Sequence, residues 1–298
     1  MSAEIQRRLP PWFKVRFPGG DNYVKLKRLV RQEKLHTICE EARCPNMGEC
    51  WEYGTATFLI LGDVCTRACA YCAVTSGRPH GLDLGEPQRV AGAVHTLGLR
   101  HAVVTSVNRD DLPDGGASVF AFTIRRIRSR APGCAVEVLI PDFAGSREAL
   151  RTVVDAAPDV LNHNIESVAR LFPRVRPKGS YQRSVELLAQ VKEWEPEMVT
   201  KSGIILGMGE TIDEVKETMF DVREAGCDVL TIGQYLRPSP KHIAIDRFYH
   251  PDEFAELKRE GLAMGFRHVE SGPLVRSSYH AHEHVATPPG ERERTLVG

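Results

Sequence analysis

"TATFLILGDVCTRACAYCAV", residues Thr55 to Val74, sets an apolar, β-branched run directly before three cysteines in a C-x3-C-x2-C spacing: Cys65, Cys69 and Cys72. Such a run closed by glycine predicts a buried strand, Thr57 to Gly62, which places the cysteines in the loop at its carboxyl end. Five further runs repeat the pattern: His101 to Thr105, Val136 to Ile140, Val160 to Asn164, Val199 to Leu206 and Val229 to Gln234. Amphipathic stretches separate them, near Pro87 to Leu97, Ala117 to Arg130, Arg147 to Ala156, Tyr181 to Trp194 and Thr211 to Ala225. Six βα units fall short of a complete eightfold barrel, so the fold class expected is α/β, a partial (β/α)6 TIM-like barrel, in preference to a doubly wound sheet. Working groups of such a fold gather at the carboxyl ends of its strands, where the cysteines lie.

The rest of the chain divides around this core. Residues 1–56 carry a second triplet, Cys39, Cys44 and Cys50 in "CEEARCPNMGEC"; residues 57–250 form the partial barrel. Residues 251–298 carry a helix pattern, Pro251 to Gly265, then "VESGPLVRSSYHAHEH" and a polar tail. Both flanks are expected to fold over the barrel mouth as N- and C-terminal extensions.

With 298 residues, 42% hydrophobic and 26% charged, the chain has the material for a large core. Lys+Arg and Asp+Glu both number 39, so the overall charge recruits neither nucleic acid nor an acidic membrane. The sequence has no run long and apolar enough to span a bilayer, and its start lacks the apolar centre of a secretory signal. A cytoplasmic, reducing location follows as the expectation, and clustered cysteines there read as metal ligands before disulfides. Cys134 and Cys227 stand alone among apolar residues and read as small core side chains.

The number three decides the chemistry. A cubane iron-sulfur cluster has four irons, and electron-transfer proteins give each a cysteine. Three cysteines leave one iron free to bind a small molecule through amine and carboxylate. A zinc site is the bland alternative, but a closed one needs a fourth ligand; a C-x2-C redox pair would leave Cys65 without a role. The second triplet raises the same question, since three close thiolates repel one another unless a cation or cluster neutralises them.

The C-x3-C-x2-C spacing, with Tyr71 before the last cysteine and a β/α series around it, resembles the signature of radical S-adenosylmethionine enzymes. "LHTICEEARCPNMGECW", "KSGIILGMGET", "LTIGQYLRPS" and "SGPLVRSSYHA" narrow the likeness to the lipoyl synthase family, from about Pro10 to Ala281. That resemblance implies two [4Fe-4S] clusters and two S-adenosylmethionine molecules for each lipoyl group formed. Cys65, Cys69 and Cys72 would hold the catalytic cluster, whose open iron chelates S-adenosylmethionine. Reductive cleavage then yields a 5′-deoxyadenosyl radical, which abstracts hydrogen from unactivated carbon. Cys39, Cys44 and Cys50 would hold an auxiliary cluster with Ser278 as fourth ligand, Ser277 being the alternative, and Arg276 and Tyr279 beside it. Serine oxygen is harder than thiolate and grips cluster iron less firmly, which suits a cluster dismantled for its sulfides.

The reaction implied is sulfur insertion at carbons 6 and 8 of an octanoyl group on a carrier-protein lysine. The implied partners are octanoylated lipoyl carrier domains, such as E2 subunits of 2-oxoacid dehydrogenases and the glycine cleavage H protein, and an electron donor such as ferredoxin or flavodoxin. Three strand ends offer groups for S-adenosylmethionine: Thr105, Ser106 and Asn108; Asn162, Asn164 and Glu166; and Arg183, a partner for its carboxylate. The basic run Arg125 to Arg130 reads as a solvated helix face that could also steer an acidic carrier. Two positions depart from the family's pattern, Ala68 in place of a basic residue and Arg237 in place of glutamine. Rival readings are another sulfur-inserting radical enzyme, similar to biotin synthase or a methylthiotransferase, and a non-catalytic iron-sulfur electron carrier.

Overall fold

The computed structural model describes residues 9–15, 19–42, 44–53 and 55–281. His282, Glu283 and His284 of the "HAHEH" run, and the polar tail, lie outside the described residues.

Among the described residues ten strands occur: β1 (His36–Thr37), β2 (Thr55–Ile60), β3 (Val64–Cys65), β4 (Thr75–Ser76), β5 (His101–Ser106), β6 (Ala135–Leu139), β7 (Val160–Asn162), β8 (Val199–Leu206), β9 (Val229–Gln234) and β10 (His268–Gly272). Eight form one open sheet in the order β1-β2-β5-β6-β7-β8-β9-β10, while β3 and β4 make a separate parallel pair. From β2 to β10 every pairing in the large sheet is parallel; only β1 joins antiparallel, at the edge. The six expected barrel strands are present in order. Two more extend the sheet, one from each flank, so the extensions share the barrel's hydrogen bonding as well as covering it. "HVESG" escaped the strand reading because it is polar, with one β-branched residue; it is a strand because β9 offers it an unpaired edge.

The helices are α1 (Asp21–Gln32), α2 (Ile38–Glu41), α3 (Met47–Glu52), α4 (Glu86–Leu97), α5 (Ala117–Arg130), α6 (Arg147–Val154), α7 (Phe172–Val175), α8 (Tyr181–Trp194), α9 (Ile212–Glu224) and α10 (Pro251–Ala263). Local chemistry sets their ends. Ser180 caps α8, Thr211 and Glu214 form a capping box on α9, and α4 stops at Gly98 in the left-handed conformation. Each helix crossing a βα unit lays an apolar stripe on the sheet, as α5 does with Phe120, Ile124 and Ile127. On that helix Arg125, Arg126 and Arg130 face solvent, whereas Cys134 and Cys227 are buried, as the sequence reading anticipates.

The barrel interior is polar. Lys201 Nζ lies 2.9 Å from Glu137 Oε1, His101 Nε2 3.3 Å from Oε2, and Asn162 Nδ2 donates to Oε1 at 3.2 Å, all fully buried. Removing one member would leave a charge uncompensated in low dielectric, so the group acts as a unit that fixes strands β5 to β8 against one another.

Candidate active site

At the end of β2 the chain turns sharply. Leu61 (φ 70°) and Gly62 (φ 88°) both adopt positive φ, and Leu61 is held there by its N–H donating to Glu86 Oε2 (2.7 Å) and its carbonyl accepting from Arg109 Nη1 (3.1 Å). This strain aims the cysteine loop across the barrel mouth. The loop is fixed by the β3–β4 pairing, by Ala70 N–H donating to Val175 O (2.9 Å), and by His242 Nε2 at 2.9 Å from Cys72 O. The Cys65 Sγ accepts backbone N–H groups from Arg67 (3.4 Å) and Asn108 (3.3 Å), contacts suited to a thiolate on a metal cluster.

Arg67 ties the loop to its neighbours. Buried at 6% exposure, it reaches Asp110 and Asp142, both at 2.7 Å. Asp142 in turn meets Arg183 at 3.1 Å, and its carboxyl is held well below the ordinary range because the Arg67 guanidinium outweighs the cost of burial.

The second triplet is carried by short elements. Thr37 caps α2, which presents Cys39; Cys44 follows, its N–H donating to Cys39 O at 2.9 Å; Cys50 sits on α3. Burial pushes the Cys39 thiol up to about 12, and it raises Cys44 and Cys50 too; in the first triplet it raises Cys69 and takes Cys72 up to about 12. Within each triplet neighbouring sulfurs add to the rise, so the thiols are gathered closely enough to repel as anions. Metal binding would drive off these protons, which links loading to pH. Among the described residues no three or more His, Cys, Asp or Glu side chains are gathered as ligands of a single ion; a cubane takes one thiolate at each iron and does not require that.

Both triplets reach one cavity of about 450 Å³. Cys39 and Cys44 line it from the N-terminal extension, Cys72 and Tyr71 from the loop, and Arg276, Ser277 and Ser278 from the C-terminal extension. Thr57 Oγ1 donates to Ser278 Oγ at 2.9 Å, Asn164 Nδ2 to Ser277 Oγ at 2.6 Å, and Asn46 Nδ2 to Leu274 O at 2.6 Å. Tyr279 Oη meets Glu49 at 3.3 Å, and His280 lies 3.7 Å from the same carboxylate. These bonds stitch the two ends of the chain together over the mouth. Arg276 is half-buried beside Cys44 and Glu166; desolvation lowers its affinity for its proton while both acidic neighbours support its charge.

Of the residues proposed for S-adenosylmethionine, Thr105, Asn164 and Glu166 line this cavity. Glu166 carries positive φ (69°), locked by backbone bonds to Gly203 and Ile205; its carboxyl is raised by burial, against the Arg176 charge and the bond it accepts from Asn164 (3.1 Å). Strained, buried carboxyls of this kind concentrate at functional sites. Thr105 gives its hydroxyl hydrogen to Leu139 O (3.0 Å). Ser106, Asn108, Asn162 and Arg183 are not among the lining residues. Asn108 holds the cysteine loop through its backbone, Asn162 belongs to the interior group on Glu137, and Arg183 lines a separate pocket of about 340 Å³ with Asp142 and Ser146.

The cavity fits bulky polar occupants. The Oδ1 of Asn164 is buried without a partner among the described residues, and the same holds for Ser106 Oγ and Asn108 Oδ1 near the loop. A Cβ at Gly203 would meet Asn164 Oδ1 at 2.8 Å, and one at Gly233 would meet Val275 O at 2.1 Å, so two glycines keep the strands open here. Ile38, Leu139, Ile204, Ile205 and Tyr235 supply apolar wall.

Sequence reasoning passed over Arg176. It is 8% exposed, donates to Asn164 O at 2.8 Å, and is close enough to Cys69 to favour its thiolate. Its position after the short α7 gives no periodic signal; only the fold brings it under the cysteine loop.

Comparison with known proteins agrees with this geometry. Residues 59–222 match the radical SAM superfamily, whose members use S-adenosylmethionine and a [4Fe-4S] cluster, and residues 2–44 match the N-terminal domain of lipoyl synthase of that family. The fold is shared with the crystal structure of methylornithine synthase, at TM-score 0.54 and 12% identity, covering 84% of this chain and 79% of that one. Lipoyl synthase of Rubrobacter xylanophilus is 63% identical over 274 residues, 92% of this chain and 85% of the relative. That of Roseiflexus sp. is 59% identical over 278 residues, 93% and 92% of the two chains. The chain belongs to the lipoyl synthase family of radical S-adenosylmethionine enzymes.

Proposed function

We propose that the chain inserts two sulfur atoms at carbons 6 and 8 of an octanoyl group attached to a lysine of a lipoyl carrier protein. The observation that carries this reading is the convergence on one cavity of members of both cysteine triplets, Cys39 and Cys44 from one and Cys72 from the other, with a serine pair. Cys65, Cys69 and Cys72 would hold the catalytic [4Fe-4S] cluster; Cys39, Cys44, Cys50 and Ser278 would hold the auxiliary one. When bound, these groups and S-adenosylmethionine supply hydrogen abstraction from unactivated carbon and the sulfur that replaces it.

The chain's own residues position and shield. Arg176, buried, and Arg276, half-buried, offset negative charge beside Cys69 and Cys44 respectively. Asn164, Glu166 and Thr105 present polar atoms to the cofactor, and the apolar wall accommodates the acyl chain while excluding water. Arg237 stands at the cavity, its guanidinium donating to His242 O and Pro240 O, so the departure from glutamine there leaves a loop fastened on itself.

The substrate would be a folded lipoyl domain, of E2 subunits or the glycine cleavage H protein, whose lysine arm enters the cavity; ferredoxin or flavodoxin would supply electrons. Two S-adenosylmethionine molecules serve each lipoyl group, one per carbon. Among the described residues no helix is long and apolar enough to cross a membrane, and thiol-held clusters suit the cytoplasm. The test is anaerobic loading followed by mass spectrometry of an octanoylated carrier peptide. About eight irons per chain and a product carrying two added sulfurs are expected; zinc in the triplets, or no sulfur in the product, would sink the reading.

A further inference from the structure

Thr57 sits in the middle of β2, 2% exposed, its side chain directed into the cavity among the expected auxiliary-cluster ligands. Its hydroxyl donates to Ser278 Oγ at 2.9 Å across 221 residues of sequence. The same residue lies close enough to Cys39 to favour its thiolate. One residue therefore stands beside two of the four expected corners of one cluster, and its single hydroxyl hydrogen goes to Ser278.

We propose that Thr57 is a positioning residue that sets how readily Ser278 releases iron. The inference rests on the reading of Ser278 as a ligand. A serine oxygen on iron is deprotonated and only accepts, so Thr57 is the donor in that state. Its hydrogen bond draws electron density from the oxygen and weakens the Fe–O bond. That bond breaks with both electrons remaining on oxygen, with no change in oxidation state, and the hydrogen bond is strongest on the anion so formed.

The segment itself does not depend on Thr57 for its place. Asn164 holds Ser277, Asn46 holds Leu274 O, and Tyr279 meets Glu49. Deleting the hydroxyl should change the strength of the Ser278 bond before it unseats the chain around it.

The experiment uses the full chain, loaded anaerobically with iron and sulfide and kept free of S-adenosylmethionine. A ferrous chelator is added, and Mössbauer spectra follow the auxiliary cluster against the catalytic one as an internal reference. Thr57→Val, nearly isosteric but without the hydrogen, should slow iron loss from the auxiliary cluster about tenfold. Thr57→Ser should return it to within about twofold of the native rate, and Thr57→Ala carries the valine expectation should valine fail to load. Unchanged or faster loss in the hydroxyl-free variant overturns the proposal. Ser278→Ala separates the two layers. If it leaves the native rate unaltered, the ligand reading itself fails. If it alters the rate while Thr57→Val does not, Thr57 alone is dismissed.

Discussion

The two cysteine triplets are built in opposite ways. The first is local: one strand, one strained turn and one loop hold Cys65, Cys69 and Cys72, and the bonds fixing that loop come from barrel elements that would be there without it. The second is assembled from afar, with Cys39 on α2, Cys50 on α3, and Arg276 and Ser278 arriving from the other end of the chain. A site made within one loop is rigid and repeatable, as a reusable cofactor site requires. A site closed by two chain ends can open, which would suit the proposed auxiliary cluster if it is to be taken apart for its sulfur and rebuilt.

The largest effects should separate the sites outright. Cys72→Ala is expected to abolish 5′-deoxyadenosine formation, while Cys44→Ala should retain it and lose sulfur insertion; each should lower iron from about eight to about four per chain. Product analysis by chromatography together with iron counting reads both. Loss of S-adenosylmethionine cleavage in Cys44→Ala would break the comparison.

Next comes Gly233→Ala. The new methyl would meet Val275 O at 2.1 Å, pushing the segment that bears Arg276 and Ser278 away from the cavity. Displacement of about an ångström can cost about a hundredfold in a positioned reaction. We expect lipoyl product to fall by about that factor with 5′-deoxyadenosine formation retained, because the glycine contacts the distant assembly and not the loop.

A smaller, paired effect tests the two cations beside the triplets. Arg276→Met should weaken retention of the auxiliary cluster about tenfold and spare the catalytic one, and Arg176→Met should do the reverse, each read by chelator competition. Both arginines lose the support of a thiolate when no metal is present, so the variants should differ less in the metal-free chain. Equal damage to both clusters from either variant would show that the cavity is electrostatically one site.

The same contrast explains what the sequence made legible. The first triplet, its strand and the barrel series could be read directly, because spacing and hydrophobic period are local properties. The second triplet was visible as a cluster, but Ser278 entered only through family likeness, since no periodicity links it to Cys39. Arg183 shows the reverse failure: it has the right chemistry for a carboxylate ligand, yet Asp142 stands 3.1 Å away and claims it. Arg176, Thr57 and β10 acquire their meaning from neighbours far away in sequence, and nothing in their immediate surroundings marks them.

The smallest effect concerns His163, which lies between two residues proposed for the cofactor yet points the other way. Asn164 faces the cavity, whereas His163 is 1% exposed, with Nδ1 2.9 Å from Ile140 O and Nε2 3.0 Å from Ser184 Oγ on α8. The neutral ring donates from Nδ1 to Ile140 O and accepts at Nε2 when the Ser184 hydroxyl turns to it from Ser180 O (3.0 Å), and burial lowers its pKa from 6.5 to about 4, with the Arg176 charge acting in the same direction. Between those values the unfolded chain binds the proton and the folded chain does not. Stability from this residue is therefore complete above pH 6.5 and declines as pH falls toward 4, by about 2–4 kcal/mol in all. Metal-free protein should lose several degrees of melting temperature across that window, and His163→Gln should flatten the slope whatever it does to the plateau. Because His163 faces a helix and Asn164 the cavity, the acid loss should leave the order of the two clusters' sensitivities unchanged. A His163→Gln variant that kept the full acid slope would move the titrating group elsewhere in the barrel.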